Sequence, residues 1–412
     1  MLGLKTVGTG KLGSKNCSEE LARAILDEVK KERTSSVATA AFFAALYIKG
    51  VSDEETCLHN AFAEGVLANA DKLVHALDTN APSWALSYAS QLLQGKILSR
   101  SEAHELGTFL FPTDLSNVCG DNARAVIATA LRMRHTEAEE YAGLLEAIKA
   151  TINPVFHRAP KMGAPLLQIA DPFDGMDRSL ITTPLLASHF IDLGYRVVTM
   201  VGLCSGPKYG LTPMDLVDAL KLPTIKNSQE LNLSQPKLGF YAHQDDLSPS
   251  VARWVGLRRQ FVRRPFLATL EKYLNPWNCD VFVGSAFHHG FSDKMIETAE
   301  LSGIPVAIIT FKGIEGSLGL SLARTSLIVR TLKKQDGSYD RKTYEMKPED
   351  FGFTPHADQK EPPSVKANAQ LVEDFLKRGS SGDSYFDTRV RYARAVYTKV
   401  LSEVPKSLLG SA

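Results

Sequence analysis

The chain has 412 residues, with 47 Lys and Arg against 46 Asp and Glu, for a formal net charge of +1. That length exceeds what one hydrophobic core organises and predicts two or three domains. The charge balance excludes retention on nucleic acid or a membrane by bulk charge alone and leaves room only for a local basic patch. A composition of 44% hydrophobic and 23% charged residues is that of a globular chain, not a disordered one. Five scattered cysteines (Cys17, Cys57, Cys119, Cys204, Cys279) form no CxxC pair, which argues against a disulfide framework or a zinc site and fits a reducing compartment. The longest apolar run, Ser36 to Ile48, is about 13 residues, short of the roughly 20 that span a bilayer. Met1 to Ser18 lacks the apolar block of a signal peptide. A cytoplasmic protein with no membrane partner is the expectation.

The first 155 residues carry a helical pattern. Gly8 to Gly13 matches GxGxxG, but a dinucleotide fingerprint needs a strand before it and a βαβ unit around it. Helical segments follow instead, so it reads as a basic lead-in. Ser18-Glu19-Glu20 has the form of an N-cap with acids in the first turn. Ser36 to Lys49 predicts a helix stopped by Gly50, and Ser52-Asp53-Glu54-Glu55 predicts the start of another. The pattern returns about 85 residues later, where Ala123 to Arg134 aligns with Ala38 to Lys49 and Glu139-Glu140 with Glu54-Glu55. Ser101-Glu102-Ala103 echoes Ser18-Glu19-Glu20. The expectation is a duplicated helical subdomain, with copies at 1–80 and 81–155.

From 156 to 412 the pattern predicts an α/β domain. Pro165 to Ala170 and Tyr195 to Val201 read as strands around a helix opened by Thr182-Thr183-Pro184 and closed at Gly194. Val281 to Ser285 and Pro305 to Phe311 enclose a further helix, Asp293 to Leu301. Lys333 to Tyr344 reads as a hairpin turning at Asp336-Gly337. Gln359 to Pro363 is a polar connector before closing helices at Val365 to Leu376 and Asp387 to Leu401.

Two loops carry the chemistry. Asp171 to Ser179 joins a strand to a helix start, where free amides and the helix dipole favour anions, with Arg178, Thr182 and Thr183 as supplementary donors. Lys208 to Pro213 repeats the design after the next strand, with Thr212 as the cap, and strand C-termini cluster on one sheet edge. Arg253, Arg258, Arg259, Arg263 and Arg264 lie within twelve residues that contain no acid and are interleaved with Trp254 and Phe261; Phe266 follows. Such a cluster suits a carboxylate, a phosphate, or a nucleic-acid backbone with stacked bases. His288-His289 does not make a metal site, because neighbouring side chains on a strand point to opposite faces. No GxSxG is present for a hydrolase nucleophile.

Several segments together resemble the anthranilate phosphoribosyltransferase family (glycosyl transferase family 3), within the wider group that includes nucleoside phosphorylases. They are Phe42 to Gly50 with Glu54-Glu55, Leu257 to Arg264, Leu274-Asn275-Pro276 with Val283-Gly284, and Lys347 to Gly352. The resemblance covers most of the chain and implies an α/β plus helical domain fold of that type, with a homodimer formed through the helical domain. The family's GTGGD loop is replaced by Asp174-Gly175-Met176-Asp177-Arg178, and its Asn-x-Ser-Thr segment by Leu180 to Thr183. Its Lys-His-Gly-Asn-Arg run is replaced by Val201 to Ser205, and its Asp-Glu magnesium pair by Glu315-Gly316. These ordered replacements look like a divergent branch similar to the YbiB type, which binds DNA.

The resemblance implies a glycosyl- or phosphoribosyltransferase using a phosphorylated pentose donor such as phosphoribosyl pyrophosphate, its acceptor undetermined. Asp174, Gly175, Arg178, Thr182, Thr183 and Lys208 would hold the donor phosphates and Glu315 would hold Mg2+. Arg258, Arg259, Arg263, Arg264 and Lys312 would meet an acceptor or nucleic acid, with Arg258 opposite an acceptor carboxylate. The alternative is a catalytically inactive protein on the same fold that binds single-stranded DNA.

Overall fold

The computed structural model describes residues 2–10, 13–157, 163–171, 175–203, 208–260, 266–286, 292–359 and 364–409. The chain divides into two compact units, Met1–Thr151 with Arg253–Leu270, and Ile152–Ala252 with Glu271–Ala412.

The first unit is helical. The GxGxxG segment follows a helix, Leu2–Val7, instead of a strand, so the dinucleotide reading has no support. Ser18 caps the helix Glu19–Lys30 by accepting from the Leu21 N–H, and the helix Ser36–Lys49 ends at Gly50 with φ +88°. Asp53–Ala61 is a 3-10 helix where the sequence suggested an ordinary one.

The segments that repeat in sequence also share a local device. Glu55 and Glu140 are both fully buried. Each pairs with the last residue of the preceding helix, Lys49 at 2.7 Å in one case and Arg134 in the other. Each also accepts from its own helix start, Ser52 N at 2.9 Å or Glu137 N at 2.8 Å. A distant amide completes each set, Cys17 N at 2.7 Å or Leu98 N at 2.9 Å. A buried carboxylate is tolerated because its charge is matched and its lone pairs are filled. Ser99, not Ser101, caps the helix Arg100–Leu110 as Ser18 caps Glu19–Lys30.

Arg253–Leu270 belongs to the helical unit, although the sequence places it in the 156–412 domain. Trp254 is the cause: its indole is fully buried beside Phe111 and donates to Leu110 O at 3.0 Å. A large aromatic with a satisfied N–H is a strong anchor.

The second unit is built on one seven-stranded sheet, in the order β3-β2-β1-β4-β5-β6-β7. The strands are β1 Leu166–Ala170, β2 Arg196–Val201, β3 Phe240–His243, β4 Val281–Ala286, β5 Val306–Phe311, β6 Ser326–Lys333 and β7 Tyr339–Met346. The first five are parallel; β6 and β7 run antiparallel as the hairpin over Asp336-Gly337. The apolar runs make buried parallel strands because helices cover both faces. Leu167, Ile169, Val281, Val283, Val306 and Ile308 share a core with Tyr392, Val396 and Val400 of the closing helix Ser384–Ser402. β3 was not anticipated: four residues after a polar loop give no usable periodicity. Strand order reverses at β1, where the connection to β2 runs one way and the neighbour β4 lies on the other side. In open α/β sheets, the crevice beyond the strand C-termini at such a point binds ligands. Among the described residues, no helix is long and apolar enough to cross a membrane.

Candidate functional site

Both loops singled out in the sequence meet at that edge of the sheet. Met176 and Leu211 form an antiparallel bridge with reciprocal N–H···O bonds of 2.8 Å. Glycine is required on both sides of it. A Cβ on Gly175 would lie 2.3 Å from Gly210 O, and Gly175 has φ +76°. A Cβ on Gly210 would lie 2.4 Å from Met176 O. The backbones therefore approach as only two glycines permit. Below the bridge, Thr212 caps the helix Pro213–Ala219 in a capping box with Asp215, as expected from its Thr-Pro start.

Glu315 joins these loops from the turn after β5. Its carboxylate accepts from Asp177 N at 3.1 Å and Arg178 N at 3.0 Å. Lys208 Nζ stands 3.0 Å from Glu315 Oε2, 3.3 Å from Glu315 O, 3.4 Å from Gly175 O and 3.8 Å from Asp177 Oδ1. Burial works to raise the Glu315 pKa, but the Asp177 amide and the Lys208 ammonium outweigh it and hold the carboxyl below its ordinary value. Asp177, whose side chain is half-exposed, goes the other way, raised by partial desolvation and by the contact and charge of the Glu315 carboxylate beside it.

One layer deeper, Thr183 Oγ1 donates to Asp171 Oδ2. Asp171 is buried. Burial pushes its pKa up to about 6, against the opposing effects of the Thr183 hydroxyl and Lys272. Thr182 and Thr183 are both buried at the start of the helix Thr183–Asp192, and Thr182 makes no side-chain cap. The hydroxyl expected to cap the helix or meet a phosphate is, for Thr183, committed to Asp171.

Two residues that sequence reasoning missed support the loop. Asn368 is fully buried and brackets Ile181, accepting from its N–H at 2.7 Å and donating to its C=O at 3.0 Å. Arg389 is buried on the closing helix with both Nη atoms 3.3 Å from Leu180 O, and burial lowers its pKa. Their only sequence signal was a polar residue on the apolar face of an amphipathic helix.

Of the expected donor-site residues, Gly175, Arg178, Thr182, Thr183 and Lys208 are thus gathered in one region. Arg178 is exposed, and Asp174 lies outside the described residues. The arginine cluster fares differently. Arg253 is ion-paired with Asp121 at 2.6 Å, and Arg258 is 1% exposed, so neither presents the free guanidinium that a carboxylate or nucleic-acid contact needs. Arg259 is exposed; Arg263, Arg264 and His288-His289 lie outside the described residues. Lys312 is exposed in the α/β unit.

The expected Mg2+ at Glu315 does not fit this arrangement. Two amides and an ammonium already take three of the roughly four lone-pair directions of the carboxylate, and a divalent ion would sit against the charge of Lys208. Among the described residues, no group of three His, Cys, Asp or Glu side chains gathers to hold a metal.

No family model matches the chain. An uncharacterized protein of Aquifex aeolicus is 28% identical over 221 residues, which is 54% of this chain and 64% of that protein, so the match spans less than two thirds of that relative. Among solved structures, anthranilate phosphoribosyltransferase from Thermus thermophilus is similar with a TM-score of 0.60 and 20% identity, covering 78% of this chain and 94% of that one. The Saccharomyces cerevisiae enzyme in complex with PRPP and Mg gives 0.59 and 16%, covering 78% and 88%. The same enzyme in complex with 4-fluoroanthranilate gives the same values. At these identities the likeness is one of fold: the chain folds as the anthranilate phosphoribosyltransferases do.

Proposed function

We propose that the chain is a phosphoribosyltransferase-type protein whose clamped loops take a phosphorylated pentose donor, phosphoribosyl pyrophosphate being the reference compound. The observation that carries this reading is the Gly175/Gly210 clamp at the sheet's reversal point. It fixes two strand-to-helix loops side by side, with Lys208 and the exposed Arg178 beside them. Transfer of a pentosyl group passes through an oxocarbenium-like state in which negative charge builds on the departing pyrophosphate. A protein accelerates such a step by holding the phosphates and placing fixed positive charge where that charge develops. In this reading Arg178 and Lys208 supply it, and the Gly175 to Ser179 backbone sets their position. Magnesium, present in the yeast complex with PRPP, has no place at Glu315 in this reading. The acceptor is open. The nucleic-acid alternative gains nothing from an arginine cluster whose first two members are an ion pair and a buried side chain.

Calorimetric titration with phosphoribosyl pyrophosphate tests the reading. Saturable binding that weakens at least about tenfold in Arg178→Ala is the expected result. Absence of binding at millimolar donor sinks it.

A further inference from the structure

We propose that Lys208 Nζ is the resident cation of this site: its ammonium stands where carboxylates elsewhere gather a divalent ion, so that a pyrophosphate-bearing ligand binds without protein-bound metal. The inference rests on the donor-site reading above and adds to it the identity of the charge that receives the phosphates.

Among the described residues, four oxygens surround Lys208 Nζ. Two are carboxylate oxygens, Glu315 Oε2 at 3.0 Å and Asp177 Oδ1 at 3.8 Å, and two are carbonyls, Glu315 O at 3.3 Å and Gly175 O at 3.4 Å. Carboxylates plus backbone carbonyls are the donor set of hard divalent cations, which take such oxygens at about 2.0–2.6 Å. Here the oxygens stand farther out, at the spacing of N–H···O contacts, and the centre is a nitrogen.

The four oxygens come from separate parts of the chain. Gly175 and Asp177 follow β1, Glu315 follows β5, and the lysine itself follows β2. Tying three loops to one positive centre is the structural work of a bound metal, and a single side chain does it here. Glu315 has φ +53° in its turn, a costly conformation for a residue with a side chain, and it is held there while its carboxylate accepts from Lys208 and two amides. The Gly175/Gly210 contact fixes the same backbone from the other side. The lysine side chain is 23% exposed and the Glu315 side chain 15%, so the ammonium is seated among its oxygens while still reaching solvent. A ligand phosphate arriving from that side meets a positive charge whose position is already set.

Exchange of lysine for metal is the test. The full-length protein would be titrated with inorganic pyrophosphate in EDTA and in millimolar magnesium. Uptake of Mn2+ would be read separately by the loss of its free electron-spin-resonance signal. In the native protein, affinity for pyrophosphate is expected to differ less than about threefold between the two conditions, with no stoichiometric Mn2+ uptake. Lys208→Met should weaken pyrophosphate binding at least about tenfold in EDTA and gain one Mn2+ site. That site should disappear again in Lys208→Met/Glu315→Gln.

Native binding that requires magnesium, or native uptake of Mn2+, overturns the inference, and both are read without any variant. So does a folded Lys208→Met protein that binds pyrophosphate in EDTA as the native one does. Failure of the native protein to bind pyrophosphate in either condition refutes the donor site itself, whereas the Mn2+ exchange still decides whether Lys208 holds a cation's place.

Discussion

The Gly175/Gly210 clamp makes a prediction in which strain and steric clash can be separated. Gly194→Ala adds a methyl at φ +95° with nothing within 4 Å, so it reports the conformational cost alone, roughly 1–2 kcal/mol. Gly210→Ala meets Met176 O at 2.4 Å, C at 2.5 Å and N at 2.7 Å, all backbone atoms that cannot rotate away. The loops must part, losing the two 2.8 Å Met176–Leu211 bonds, at about 1 kcal/mol each and more where the freed groups stay buried. Gly175→Ala suffers both penalties, for a total of about 3–4 kcal/mol. In a unit of this size that corresponds to a fall of roughly 6–16 °C in the melting transition. Differential scanning calorimetry of the three variants, with pyrophosphate titration of each, gives the order: Gly194→Ala least affected, Gly175→Ala most. Pyrophosphate binding should weaken in the two clamp variants and be unchanged in Gly194→Ala. If Gly210→Ala is no less stable than Gly194→Ala, or binds pyrophosphate as the native protein does, the clamp does not position the site.

Other substitutions test neighbouring parts of the argument. Glu140→Ala should cost about 3–5 kcal/mol in urea unfolding of the helical unit, because it strands Arg134 and the Leu98 amide, and Glu55→Ala should cost a similar amount through Lys49 and Cys17. Asn368→Ala leaves both polar groups of Ile181 without their partner, which should cost about 2–3 kcal/mol and weaken pyrophosphate binding through the loop it holds. Asp171 gives a pH dependence. Its pKa near 6 in the fold is above the unfolded value, so the folded state holds the proton more tightly. Its stabilising contribution is therefore complete below about pH 4 and lost as pH rises through about 6, a change of up to about 3 kcal/mol. Asp171→Asn still accepts from Thr183 and should remove that slope when stability is compared with the native protein between about pH 4 and 7; an unchanged slope would refute the assignment.

Features set by neighbouring residues could be read from the sequence. Helix ends at Ser18, Gly50 and Thr212 follow from short-range hydrogen bonds and backbone freedom, and the β6–β7 hairpin follows from Asp336-Gly337. Four of the five parallel strands could be read because a strand buried on both faces is a continuous apolar run. The two strand-to-helix loops of the candidate site could be read from a single glycine in each and the Thr-Pro helix start that follows it.

The tertiary structure decided what depends on partners far along the chain. Lys208 and Glu315 are 107 residues apart, and no local rule pairs them. Thr183 turns its hydroxyl to Asp171 instead of a helix cap, because the buried carboxylate has the stronger need for a donor. Arg253 and Arg258 form part of a basic run in sequence, yet one meets Asp121 and the other is buried, since Trp254 draws that segment into the helical unit. A residue's type and its immediate neighbours set which interactions it is able to make. Which of them it makes depends on where the fold brings an opposite charge or an unpaired backbone group, and on how much water is left between them.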